Sequence, residues 1–296
     1  MIRFVNAKIN LGLNILSRRE DGYHNLETLF YPVGRFNGTP ENPEPFCDIL
    51  EITLRKGAEG DCFHFSGNMI DCPLEKNLVF KAVSAFRKTM AEQGKELPPV
   101  EVAFEKHIPD AAGLGGGSAD ATFTLLLLNE LAGLPLDNET LHALATNLGA
   151  DCPFFLENRP VLATGIGEVM RPEDLDLSGY WCIIVKPDIQ ISTKEAFAGI
   201  SPTEPERQIS EILEFPIEEW RQKGLSNDFE RHLFEQHPLL ARIKEELYQN
   251  GALYVSMSGS GSSLFGIFSN RREADAALSK LTLSLPESCR HYICLL

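Results

Sequence analysis

The sequence predicts an α+β chain built in two parts, and three observations carry that reading. A stretch near the N-terminus alternates polar and apolar residues with a period of two. Several later stretches repeat their apolar residues at helical spacing instead. Around residue 110 a strand pattern, a glycine cluster and an apolar run follow one another in that order. With 296 residues, two modest domains can each bury a core, and a boundary is expected near Asn158, giving 1–158 and 159–296.

The elements follow in order. From Phe4 to Leu16, Asn6, Lys8, Asn10, Gly12 and Asn14 alternate with Ala7, Ile9, Leu11, Leu13 and Ile15, a strand pattern. Asp21-Gly22 marks a turn directly before Tyr23-His24, and Leu26 to Val33 resumes a strand. Asn37 to Pro45 is rich in Pro, Asn and Gly and reads as an exposed loop. Ile49–Leu54 and Cys62–Phe65 are expected as strands of a meander. Asn77 to Glu92 has helical spacing, with Leu78, Ala82, Ala85, Phe86 and Met90 on one side. Val100–Phe104 is a strand leading to Lys106, and Thr122–Leu131 is an apolar helical run.

Leu141–Leu148 reads as a helix ended by Gly149, followed by Asp151-Cys152-Pro153. An acid at such a junction is as readily a helix N-cap as a reactive group. Pro160–Ala163 and Trp181–Lys186 read as strands. Ser192 opens a helix, with Glu195 three residues on. Ile209–Arg221 and Leu240–Gln249 are expected to be helical, and Leu253–Ser256 a strand. The small-residue loop Ser258–Ser263, the strand Leu264–Phe268, the helix Glu273–Leu281 and the strand His291–Leu295 close the chain.

Pro109 to Ala121 is the most informative stretch. Gly113, Gly115, Gly116 and Gly117 crowd into five positions ahead of a helix. Glycines let a ligand approach the main chain, and a helix start offers unpaired N–H groups at the positive end of its dipole. That combination binds phosphate. The Lys that a Walker loop carries after its last glycine is absent, since Ser118 and Ala119 stand there, and Ser118 also breaks the dinucleotide fingerprint.

Composition narrows the partners. A net charge of −15 and a pI near 4.9 argue against a broad nucleic-acid face. No stretch has the length of a transmembrane helix, no secretory leader is evident, and a cytoplasmic protein off the membrane is expected. The seven cysteines include no Cys-x-x-Cys pair and the seven histidines no metalloprotease spacing, so no metal site is expected.

Three segments now stand in fixed order: Ala7-Lys8-Ile9-Asn10-Leu11, the glycine loop, and Ser258-Gly259-Ser260-Gly261-Ser262. With Asp21-Gly22-Tyr23-His24 and Gly149-Ala150-Asp151-Cys152-Pro153, this order resembles the GHMP small-molecule kinases, from Lys8 to Phe268. The resemblance implies a two-lobed fold with the active site in a cleft between an ATP-binding N-terminal and a substrate-side C-terminal part. It implies ATP with Mg²⁺ as cofactors, and Lys8 and Asp151 as the catalytic pair. Lys106, Pro109, Ala112, Gly113, Leu114, Gly115, Gly116, Gly117, Ser118 and Asn77 would bind the nucleotide. Asn10, Tyr23, His24 and Thr193 would bind a small substrate carrying a cytidine diphosphate group, as in the isoprenoid-pathway member of the family. A homoserine- or phosphomevalonate-type kinase is the alternative, and a monomer or homodimer is expected. The sequence departs from the family pattern at Ala119, where a second serine is common, and in a longer Asn37–Pro45 loop.

Overall fold

The structure, a computed structural model, describes residues 1–35, 46–68 and 72–296, so the expected loop Asn37–Pro45 lies outside the described residues. In chain order the first elements are β1 (Ile2–Arg18), β2 (His24–Val33), β3 (Cys47–Leu54), β4 (Cys62–Gly67), α1 (Leu78–Glu92), β5 (Val100–Lys106), α2 (Gly116–Leu131), α3 (Asn138–Leu148) and α4 (Phe154–Glu157). There follow β6 (Val161–Gly165), β7 (Val169–Pro172), β8 (Trp181–Lys186), α5 (Thr193–Ala198), α6 (Ile209–Leu213), α7 (Glu230–Gln236), α8 (Pro238–Gln249), β9 (Tyr254–Met257), β10 (Leu264–Phe268), α9 (Arg271–Ser284) and β11 (Arg290–Leu295). They form two compact units: Met1–Ala7 with Cys47–Asp110 and Gly115–Asn158, and Lys8–Phe46 with Ala111–Leu114 and Arg159–Leu296.

In the first unit β3 pairs antiparallel with the start of β1 on one side and with β5 on the other. β4 lies outside β5 and parallel to it. The expected meander is therefore not formed, because β5 stands between β3 and β4. The reason is α1, whose 15 residues supply the crossover that parallel neighbours need. Asn77 caps α1, its side chain accepting from the Val79 N–H at 2.9 Å. The helix buries Val79, Ala82, Val83, Phe86 and Met90. α2 packs against α1, α3, α4 and β3 and buries residues on all its sides, as an almost wholly apolar sequence must. It begins at Gly116, ahead of the apolar run, because small residues there continue the ladder from the bond of Ala119 N–H to Gly115 O.

In the second unit β2, β6 and β7 form an antiparallel ribbon beside the later part of β1. A separate antiparallel sheet has the order β11-β8-β10-β9. Its inner face, with Ile183, Val185, Val255 and Phe268, packs with Leu233, Ile243, Leu247, Ala277 and Leu281 of α7, α8 and α9 into one core. Ser192 caps α5 as expected, its Oγ accepting from Glu195 N–H at 3.1 Å. The single helix expected over Ile209–Arg221 is broken. α6 stops at Leu213 and Pro216, which cannot donate to the ladder, precedes one 3₁₀ turn, Ile217–Glu219.

Candidate active-site residues

In the first unit the glycine loop opens onto α2. Gly115 is the N-cap at φ +68°, a left-handed conformation suited to glycine, and it has no side chain with which to cap the helix. The first-turn N–H groups of Gly116, Gly117 and Ser118 are left for another acceptor. A Cβ on Gly116 would come within 3.0 Å of both Ile108 Cγ2 and Lys106 Nζ, so that side is filled. A Cβ on Gly117 would meet only Leu78 Cδ1, at 3.4 Å, so that side is more open. A chain of phosphates fits this combination of donors, dipole and missing side chains.

Beneath the turn lies Lys106, only 2% exposed. Its ammonium donates to Asp48 Oδ2 at 2.5 Å and to Asp120 Oδ2 at 2.7 Å. Asp48 Oδ1 also accepts the backbone N–H groups of His107 and Ile108, at 2.6 and 2.8 Å. Burial alone would lower the Lys106 pKa, but the two carboxylates outweigh it and raise it. Burial drives the Asp120 carboxyl well above the usual carboxylate range, and its Oδ1 has no hydrogen-bond partner. The lysine thus ties the end of β5 to the second turn of α2. Asn77 and Lys106 both line a pocket of about 220 Å³ whose apolar walls include Phe65, Phe104 and Leu74.

Asp151 lies in the turn before α4, two residues ahead of that helix's N-cap, Pro153. Thr122 Oγ1 donates to the Cys152 carbonyl at 2.9 Å and ties this turn to α2. A Cβ on Gly149 would touch Cys152 Sγ at 3.3 Å and Ser118 Oγ at 3.7 Å, so the turn packs against the start of that helix. Burial pushes the Cys152 thiol up to about 11. Ala119, where a second serine is common in the family, is fully buried.

In the second unit Lys8 and Asn10 point to one face of β1, two residues apart. Both are buried, and Lys8 Nζ donates to Asn10 Oδ1 at 2.7 Å and sits 4.7 Å over the Phe30 ring. Asn10 in turn donates to Thr28 Oγ1 at 2.9 Å. The Lys8 N–H donates to the Leu114 carbonyl at 2.9 Å, and Ser263 N–H to that of Ala112 at 3.3 Å. Ser258 Oγ donates to Gly113 O at 2.7 Å, and a Cβ on Gly113, at φ +75°, would lie 2.0 Å from the Ser258 carbonyl oxygen. Glycine at 113 is therefore a packing requirement.

Asn227 went unrecognised in the sequence. Its amide donates to the carbonyls of Met257 and Gly259, both at 2.8 Å, and clamps the loop Ser258–Ser263. Tyr23 follows a turn held by its N–H to Asp21 Oδ1 at 3.1 Å, and it is 61% exposed, so the core does not account for it. The His24 ring stacks on Phe197, with centroids 4.9 Å apart and planes 21° from parallel. Burial and then Arg18 lower the His24 pKa. Phe197 was also unrecognised, and its one signal is its place four residues after Thr193, on the same side of α5.

The sequence matches the GHMP kinases N terminal domain over residues 77–158 and the GHMP kinases C terminal domain over residues 210–286. With the α+β fold, this places the chain in the GHMP kinases. Relatives named 4-diphosphocytidyl-2-C-methyl-D-erythritol kinase are 48% identical in Parabacteroides distasonis and 50% in Bacteroides fragilis, over 90% and 91% of this chain and 92% of each relative. Within the family, the chain belongs with these kinases. A crystal structure of 4-(cytidine 5′-diphospho)-2C-methyl-D-erythritol kinase superposes with a TM-score of 0.79 at 31% identity, covering 99% of this chain and 98% of that one. Homoserine kinase from Cytophaga hutchinsonii, at 16% identity and a TM-score of 0.69, shares the fold alone.

Proposed function

We propose that the protein transfers the γ-phosphoryl group of ATP to the 2-hydroxyl of 4-diphosphocytidyl-2-C-methyl-D-erythritol, giving the 2-phosphate, in cytoplasmic non-mevalonate isoprenoid biosynthesis. The observation that carries this reading is the identity of 48–50% over nine-tenths of the chain to relatives of that name. C2 also bears the methyl group, so the accepting hydroxyl is tertiary and its proton must be removed as phosphorus is attacked. Asp151 is the proposed proton acceptor, and Lys8 the cation that steadies the developing alkoxide. The hydroxyl oxygen forms the new bond to phosphorus, the bond from phosphorus to the bridging oxygen breaks, and ADP leaves.

Gly113 to Ser118 hold the triphosphate in this reading, with Pro109, Ala112 and Leu114 setting the course of the loop. Lys106 acts by fixing the start of α2, since its ammonium is already shared by Asp48 and Asp120. The pocket beside Asn77 has apolar walls suited to a flat base such as adenine. Mg²⁺ bound with the triphosphate would supply charge neutralisation there. Tyr23 and His24 read the cytosine, a role that suits an exposed aromatic ring beside a stacked imidazole, and Asn10 and Thr193 contact the rest of the substrate. Incubating the protein with ATP, Mg²⁺ and a panel containing 4-diphosphocytidyl-2-C-methyl-D-erythritol, homoserine and phosphomevalonate, read by phosphorus NMR, tests the proposal. Phosphorylation of the first compound alone is expected, and turnover of another in its place would overturn it.

A further inference from the structure

Cys62, His64 and Glu101 meet on the edge of the first unit's sheet, and none of them has a role in the proposed kinase reaction. β4 is the terminal strand of that sheet, and Cys62 and His64, two residues apart on it, share a face. The parallel register with β5 sets Glu101 opposite Cys62. Phe63, on the opposite face of β4, packs against Phe80 of α1, which leaves the face of Cys62 and His64 uncovered by that helix. Cys62 Sγ lies 3.3 Å from His64 Nε2, and the same nitrogen lies 3.1 Å from Glu101 Oε1. All three donor atoms fall within 4.8 Å of one another.

Those separations are close to what a tetrahedral ion demands. Zinc bonds of about 2.3 Å to sulfur and about 2.0–2.2 Å to nitrogen and oxygen, at tetrahedral angles, put S and N about 3.6 Å apart and N and O about 3.4 Å apart. The observed distances of 3.3 and 3.1 Å need these two pairs to open by only about 0.3 Å, and the sulfur and the carboxylate oxygen, within 4.8 Å of each other, close toward about 3.6 Å. We propose that Cys62, His64 and Glu101 bind one Zn²⁺, with water as the fourth ligand. A thiolate with an imidazole selects zinc over Mg²⁺ or Ca²⁺, which take oxygen ligands. Arg55 Nε lies 3.8 Å from Glu101 Oε2, which leaves Oε1 turned to the imidazole. As the sulfur–zinc bond forms, the thiol releases its proton to solvent, the imidazole enters neutral and the carboxylate ionised, so affinity falls with falling pH. The bound ion staples the edge strand β4 to β5 near its N-terminal end, while Phe65 and Ser66 of the same strand line the pocket shared by Asn77 and Lys106.

The reduced, chelator-treated full chain is titrated with Co²⁺, and then with Zn²⁺ in competition with a chromophoric chelator. Expected are one bound equivalent, a thiolate-to-cobalt charge-transfer band, and affinity weakened at least about 100-fold in Cys62→Ser and in His64→Gln. Cys72→Ser, which removes the other part-exposed thiol, should bind as the parent does. In the unsubstituted chain Zn²⁺ should also protect Cys62 from a thiol reagent, a readout that needs no variant to fold. A parent chain without the cobalt band, or a Cys62→Ser chain that binds unchanged, would reduce the cluster to one imidazole nitrogen packed between a sulfur and a carboxylate and overturn the proposal. None of these readouts depends on kinase activity.

Discussion

Lys106 Nζ lies 2.7 Å from Asp120 Oδ2 at a place where both side chains are at least 97% buried, and Asp48 completes the group from the other side at 2.5 Å. Asp48 and Asp120 thus share one ammonium beneath the first turn of α2. The arrangement favours a proton on Asp120, whose pKa burial raises well above the ordinary value. The fold therefore binds a proton that the unfolded chain has released above a pH of about 3.9. This contribution to stability is fully present below that pH and is lost as pH rises toward the folded pKa. Asp120→Asn removes the titration, so its melting temperature should gain on the parent's as pH rises from about 4 to 7. A difference that stays constant across that range would show that Asp120 is ionised in the fold.

Asp48→Ala should be the more damaging change. It strips Lys106 of one partner and leaves the N–H groups of His107 and Ile108 without their acceptor. Breaking a buried ion pair from one side costs about 3–5 kcal/mol, and urea unfolding measures it.

Asp151→Asn keeps the size of the side chain and removes the proton acceptor. Turnover should fall by about 10²–10⁴-fold while ATP still binds. Single-turnover kinetics with a separate nucleotide-binding titration check both halves of that expectation.

Tyr23→Ala should lower kcat/KM for the cytidine substrate by about ten- to a hundredfold, the equivalent of a lost stacking contact of about 1–3 kcal/mol. The KM for ATP and the melting temperature should hardly move, since Tyr23 is 61% exposed and contributes little to the core. Equal loss for both substrates would point instead to a folding defect in the first hairpin.

Asn227→Ala should loosen the loop Ser258–Ser263. The substitution leaves the Met257 and Gly259 carbonyls without their donor, each worth about 1–3 kcal/mol when buried. Faster hydrogen exchange at residues 258–263 than in the parent is the measurement, with β11 as an internal standard.

Much of the fold was legible in the sequence because neighbours along the chain encode it. The alternation from Asn6 to Ile15 became β1, the Ser192–Glu195 pattern became the cap of α5, and Gly149 does end α3. Crowded glycines before an apolar run announced a helix start, though the helix begins at Gly116 rather than Thr122. The meander failed because a period of two gives a strand but not its partner, and the crossover through α1 set β4 beside β5. The long helix over Ile209–Arg221 failed at Pro216, a local signal that helical spacing masked.

What the sequence by itself determined were the elements, their caps and turns, and the family to which its ordered motifs belong, all properties carried by residues a few positions apart. Only the tertiary structure decided which distant residues share an environment. Asp48, Lys106 and Asp120 meet because β3, β5 and α2 pack together. Cys62, His64 and Glu101 meet because a parallel register aligns two strands separated by a helix. Asn227 reaches the serine-glycine loop for the same kind of reason. Charge, burial and ligand geometry depend on distances through space, and those are fixed by strand pairing and helix packing rather than by spacing along the chain.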